Sequence, residues 1–193
     1  MPDAQDKVGR AKPSIHRFNG LWVEHLGPQP AAMLRVRAAE AAWVATALAV
    51  LGLDLPRAPN TVRLGDRRLL WTGPGEWLLT AAEGGLPDLA AIGAALGDIP
   101  YLLADITDGR EVIALSGNNA RALLAKGCSL DLHPRQFTTG QCAQTLLARV
   151  PVLLVQTSDE PRFDLIVDRS LAAYLWDWIG VAAGSFGPDN AQA

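Results

Sequence analysis

Apolar positions along this chain follow two rhythms, a period of two and a period near 3.6, and the rhythms succeed one another in the same order twice. The first round opens with an apolar strand at residues 33–36. A helical stretch over about 38–51 follows, with Ala41, Val44, Ala45, Leu48 and Leu51 on one face and Gly52 as its stop. The loop Leu53-Asp54-Leu55-Pro56 leads to short strands at 61–64, 69–71 and 76–80, with Gly65-Asp66 as a turn, and then to a helix over 86–96. The second round has a strand at 111–115. Its helix runs from Asn118 or Asn119 to Lys126, with Ala120, Leu123 and Leu124 inward and Gly127 as its stop. The loop Ser129-Leu130-Asp131-Leu132-His133-Pro134 echoes the earlier Leu-Asp-Leu-Pro. Strands are predicted at 144–148, 152–156 and 163–167. A last helix opens at Ser170, a good N-cap, and buries Leu171, Tyr174, Leu175, Trp178, Ile179 and Ala182.

Both rounds therefore read strand–helix–strand–strand–strand–helix. Tight turns between strands favour antiparallel pairing with the helices laid on one face. The expected class is α+β: two ferredoxin-like halves, about 15–100 and 101–183, forming one pseudo-symmetric domain over 15–183. Polar tails are expected at 1–14 and 184–193.

Composition narrows this picture. With 49% hydrophobic and 19% charged residues, the chain can build a core and is not a disordered polypeptide. Its longest apolar stretch, 41–53, is too short to span a bilayer and contains Thr46 and Gly52. The N-terminal residues lack the plan of a signal peptide, and the cytoplasm is the expected compartment. A net charge of −3 argues against nucleic acid as a partner. Arg63, Arg67 and Arg68 cluster without an aromatic ladder and are expected on a solvated hairpin. Cys128 and Cys142 are too few for a disulfide framework and read as buried free thiols.

Candidate chemistry is sparse. Gly73-Pro74-Gly75-Glu76-Trp77 has neither dinucleotide nor P-loop spacing, and a β-turn explains it. His16, His25 and His133 are scattered, without a second ligand at metal spacing. Asp105 and Asp108 flank Ile106-Thr107, where Asp108-Gly109 signals a turn. Tryptophan is the unusual residue type, with six copies beside two tyrosines. Trp176 and Trp178 stand two apart on the last helix and point in different directions. Spacing with Leu171, Leu175 and Ile179 puts Trp178 inward and leaves Trp176 outward.

Two stretches carry a family resemblance. One runs from Asp105-Ile106-Thr107-Asp108-Gly109-Arg110-Glu111 through Phe163-Asp164-Leu165-Ile166-Val167 to Tyr174-Leu175-Trp176-Asp177-Trp178. The other is Trp71-Thr72-Gly73-Pro74-Gly75-Glu76-Trp77-Leu78-Leu79. Together they resemble the gamma subunit of heterotetrameric sarcosine oxidase, similar in fold to the folate-binding domain of the glycine-cleavage aminomethyltransferase. The resemblance implies a non-catalytic small subunit, with no catalytic, cofactor or metal residues of its own. The complex would demethylate sarcosine oxidatively, with FAD, FMN, NAD, tetrahydrofolate and zinc on the other subunits. Its partners would be the alpha, beta and delta subunits, chiefly alpha. The aminomethyltransferases carry an essential aspartate in a segment matching 149–157. Here that segment reads Arg-Val-Pro-Val-Leu-Leu-Val-Gln-Thr, without a carboxylate, so the role does not carry over. The expected interface anchors are Trp176, with Trp71 and Trp77 on the hairpin as a second patch, Trp77 reading as core or interface. The alternatives are a stand-alone folate-binding or aminomethyltransferase-like protein, and the same subunit type in another amine demethylase complex.

Overall fold

A computed structural model describes residues 14–81 and 85–189. The strands are β1 (Ser14–Phe18), β2 (Leu21–Gly27), β3 (Ala31–Val36), β4 (Val62–Arg63), β5 (Arg67–Gly73), β6 (Glu76–Ala81), β7 (Tyr101–Asp105), β8 (Arg110–Ser116), β9 (Cys142–Leu147), β10 (Val150–Ser158) and β11 (Arg162–Asp168). The helices are α1 (Ala41–Ala49), α2 (Leu89–Leu96), α3 (Ala120–Ala125) and α4 (Arg169–Ala183). One sheet runs β4-β5-β6-β3-β7 and the other β9-β10-β11-β8-β2-β1, with every pair antiparallel.

Written in this direction, the sheets correspond in strand order. β3 corresponds to β8, and β4, β5 and β6 correspond to β9, β10 and β11. The strand that precedes each repeat crosses over. β2 precedes β3 in sequence but pairs with β8, and β7 precedes β8 but pairs with β3. The sheets therefore do not follow a division of the sequence at residue 100. The sequence reading also assigned no element to β1, β2 or β7.

Alternation along the strands gives each sheet two apolar faces, which makes a four-layer α–β–β–α stack. Leu34, Leu69, Trp77 and Leu79 meet α1 and α2 through Val44, Leu48, Ile92 and Leu96. Ile113, Leu115, Phe163 and Leu165 meet α3 and α4 through Leu123, Leu124, Leu175 and Ile179. The opposite faces close on each other through Leu70, Leu78, Val112, Leu153, Val155 and Ile166.

Local chemistry sets most of the boundaries. Asp88 caps α2, its Oδ1 accepting from Ala90 N at 2.8 Å. Gly52 follows α1 with φ 73°, the left-handed stop expected of glycine. Gly127 ends α3 for a different reason. A Cβ there would stand 2.7 Å from Trp178 Cη2, so its missing side chain makes room for the ring. Gly75 turns at φ 75° with its Cα against the Val36 carbonyl, where a Cβ would lie 2.6 Å from the oxygen. The turn reading of Gly73-Pro74-Gly75 holds.

Three local expectations are corrected. α4 starts at Arg169 with Asp168 as N-cap, two residues before the expected cap Ser170. Tyr174 lies on its exposed face rather than in the core. Residues 184–189 are not all tail. A 3-10 turn covers Gly184–Phe186, Lys126 reaches over the Phe186 ring, and Pro188 bridges to Phe18. Residues 1–13 and 190–193 of the expected tails lie outside the described residues.

Candidate interaction surface and its buried neighbours

Trp77 is not on the surface. It is 2% exposed in the core under α1 and α2, and its indole N–H donates to the Pro56 carbonyl at 2.9 Å. The repeat explains this placement. Trp77 pairs with Leu34 across β3–β6, as Phe163 pairs with Leu115 across β8–β11, so both aromatics fill the same position. Each one holds down the loop that follows its helix. Phenylalanine has no N–H to donate, and Arg121 supplies it instead. Its guanidinium sits 5.0 Å over the Phe163 ring and donates to the carbonyls of Leu132 and Phe137 and to Gln156 Oε1. Burial pushes the Arg121 pKa down. The signal available in sequence was the recurrence of an aromatic followed two residues later by leucine, Trp77-Leu78-Leu79 and Phe163-Asp164-Leu165.

Trp176 is half-buried, not outward. Its ring lies between His16 and His25, with centroids at 4.7 and 5.4 Å. The buried stripe of α4 is Ala172, Leu175, Ile179 and Ala183. Trp176 flanks it on one side, over β1–β2, and Trp178 flanks it on the other, against Gly127. Both rings thus pack on the same core from opposite flanks, which period counting alone did not allow. His25 Nε2 lies 2.6 Å from Glu111 Oε2, and Arg169 Nε approaches the other Glu111 oxygen at 3.6 Å. His133 stays apart, in the exposed loop after α3. The exposed large apolar side chains of α4 are Tyr174 and Val181.

Trp71 is half-buried, facing Trp77 across β5–β6. It forms part of the wall of a shallow groove with Pro56, Pro59 and Pro74. Of the interface candidates, Trp77 lies in the core, Trp176 packs on the histidines of β1 and β2 with part of its ring exposed, and Trp71 keeps a partly open face.

Several charges pair within the chain. Arg68, expected on a solvated hairpin, reaches from β5 across the sheet interface to Asp164 of β11, which is 3% exposed. A cavity of about 290 Å³ opens between the sheets. Its charged rim consists of Arg35 with Glu76 at 2.9 Å and Arg110 with Asp168 at 2.9 Å. Asp105 acts as the expected turn acceptor. Hydrogen bonds from Thr107 hold its carboxyl below the ordinary range. β10, which contains residues 150–157 of the 149–157 stretch, sends Val152 and Leu154 to the helix side and Leu153 and Val155 to the sheet interface. Among the described residues no group of three potential metal ligands forms, and no helix is long and apolar enough to cross a membrane.

Cys142 is fully buried at the β4–β9 junction, and burial raises its thiol from 9.0 to about 11. Its reaction with a disulfide reagent at pH 8 should be much slower than that of Cys128, which is only half-buried, and should match it after unfolding. The raised value favours the native state most fully below pH 9.0, and that contribution fades as pH rises through about 11. Equal native reaction rates would refute this.

The duplicated antiparallel sheets with helices on their outer faces define an aminomethyltransferase-like domain. Aminomethyltransferase T of the glycine cleavage system from Bartonella henselae shares the fold, with a TM-score of 0.60 at 13% identity over 88% of this chain and 50% of that one. The model of the sarcosine oxidase gamma subunit family matches residues 35–185, and the chain belongs to that family. It is 36% identical over 160 residues to sarcosine oxidase subunit gamma of Corynebacterium sp. strain P-1, covering 81% of this chain and 77% of the relative. The subunit gamma of Corynebacterium sp. strain U-96 is 38% identical over 140 residues, covering 72% and 67%. A chain in the solved heterotetrameric sarcosine oxidase from Corynebacterium sp. U-96, in complex with pyrrole 2-carboxylate, superposes with a TM-score of 0.79. It is 28% identical, over 92% of this chain and 90% of that one.

Proposed function

We propose that this chain is the non-catalytic small subunit of a heterotetrameric sarcosine oxidase, bound to alpha, beta and delta subunits and chiefly to alpha. The observation that carries this reading is the end-to-end likeness, in fold and sequence, to a chain of a heterotetrameric sarcosine oxidase. The complex would convert sarcosine, O₂ and water to glycine, formaldehyde and hydrogen peroxide, or pass the one-carbon unit to tetrahydrofolate. FAD, FMN, NAD, tetrahydrofolate and zinc would be held by the other subunits, in the cytoplasm, where Cys128 and Cys142 remain free thiols. Supporting this division of labour, β10 has apolar side chains on both faces and the charged groups around the inter-sheet cavity are engaged with one another.

Purified alone, the chain should be colourless and consume no oxygen with sarcosine. Co-expressed with the other subunits, it should enter an active four-subunit complex. Co-purifying flavin, or oxygen uptake above a blank, would overturn the non-catalytic reading. Tetrahydrofolate binding by the isolated chain would favour a stand-alone folate-binding protein.

A further inference from the structure

Resting on that reading, we propose that the free edge of β7 is the docking site for an extended strand of a partner subunit. The strand would be about five residues long, antiparallel to β7, apolar at alternate positions and basic at its flanks.

The internal repeat defines the vacancy. In the larger sheet, β2 holds the position that β7 holds in the smaller one, and its outer edge is covered by β1, antiparallel from Ser14↔His25 to Phe18↔Leu21. Among the described residues no strand pairs with the outer edge of β7, although α2 packs against its face at Tyr101. Its paired edge is fixed by register. Ile106 N donates to Ala31 O at 2.8 Å, so the alternate amides of Leu102 and Ala104 also face β3. The N–H and C=O groups of Tyr101, Leu103 and Asp105 then point away from the sheet.

The two outer edges differ in chemistry. β1 carries Ser14, His16 and Arg17, the polar and charged residues with which edge strands resist pairing. β7 reads Tyr-Leu-Leu-Ala-Asp, with Tyr101 44% and Leu102 50% exposed. An unpaired edge with exposed apolar side chains offers main-chain bonds for affinity and side-chain contacts for selection.

Charge specifies the occupant. Asp98, Asp105 and Asp108 lie along or beside β7, and none forms an ion pair among the described residues. The nearby arginines are already engaged: Arg35 with Glu76, Arg37 with Glu40 and Arg110 with Asp168. Arg169 reaches only the Asp108 carbonyl. A strand flanked by lysine or arginine complements this edge.

The test uses the full chain co-expressed with the proposed alpha, beta and delta subunits. Leu102→Lys places a positive charge on the edge, and Leu146→Lys, on exposed β9, serves as the control. We expect Leu102→Lys to reduce recovered complex by at least about tenfold with an unchanged melting temperature of the free chain, and the control to assemble normally. Amide hydrogen exchange at Tyr101 and Leu103 in the wild-type chain should slow at least about tenfold on assembly, a readout that does not depend on any variant folding. Wild-type assembly with unslowed amides, or normal assembly of Leu102→Lys, would overturn the proposal alone. A wild-type chain that does not assemble at all would overturn the functional reading and this proposal with it. A wild-type chain that forms dimers which Leu102→Lys makes monomeric would assign the edge to a second copy instead.

Discussion

Trp77→Ala should destabilise the free chain by about 3–5 kcal/mol, the usual cost of deleting a buried large aromatic. For a chain of this length that lowers the melting temperature by roughly 10 °C. Two losses combine. The core under α1 and α2 loses its largest side chain, and the Pro56 carbonyl loses the indole donor at 2.9 Å. Trp77→Phe separates them. The ring that occupies the matching position as Phe163 should fill most of the space but leave Pro56 without its bond, at a cost of about 1–3 kcal/mol. Thermal unfolding by circular dichroism, with no other subunit present, is the measurement. A Trp77→Ala chain that melts like the wild type but no longer assembles would return Trp77 to the interface.

The second large effect belongs to the contact that ties the two sheets together. Arg68→Ala should cost about 2–4 kcal/mol. It leaves the Asp164 carboxylate buried, with only Arg162 at 4.0 Å to compensate. Part of Arg68 is open to solvent, which keeps the figure below that of a fully buried pair. The repeat suggests the rescue, because the position matching Asp164 is the apolar Leu78, also at the sheet interface. Asp164→Leu in the Arg68→Leu background should recover most of the loss, since a packed apolar pair often replaces a buried ion pair without penalty. A double-mutant cycle in denaturant reads the coupling directly. Additive single effects would show that the pair does not join the sheets.

These two sites mark how far the sequence could be read. The aromatic at Trp77 and the cationic Arg68 are both visible in the sequence, but the sequence leaves Trp77 between core and interface and places Arg68 on a solvated hairpin. A single tryptophan does not reveal whether its indole finds a partner, and Pro56 is brought to it only by the return of the loop after α1. Likewise Arg68 lies in a hairpin that looks solvated because its partner is 96 residues away. Trp176 shows the same limit. Helical spacing fixed its angle from Leu175 correctly, but the strand pair that covers it comes from the start of the chain.

The amino-acid sequence by itself determined the local elements and their duplicated order, because turn glycines, caps and apolar periodicity act over a few residues. The helices stopping near Gly52 and Gly127, the Gly73-Pro74-Gly75 turn, the antiparallel α+β class and the family resemblance all follow from such local signals. Only the tertiary structure decided which strands share a sheet. β2 precedes the first repeat yet pairs with β8, carrying β1 on its outer edge, and β7 precedes the second yet pairs with β3. No local rule encodes that exchange. An edge strand satisfies its hydrogen bonds equally well against any compatible neighbour, and the choice is settled by which apolar faces the closing of the two sheets buries. That exchange covered the edge of one sheet and left the edge of the other open.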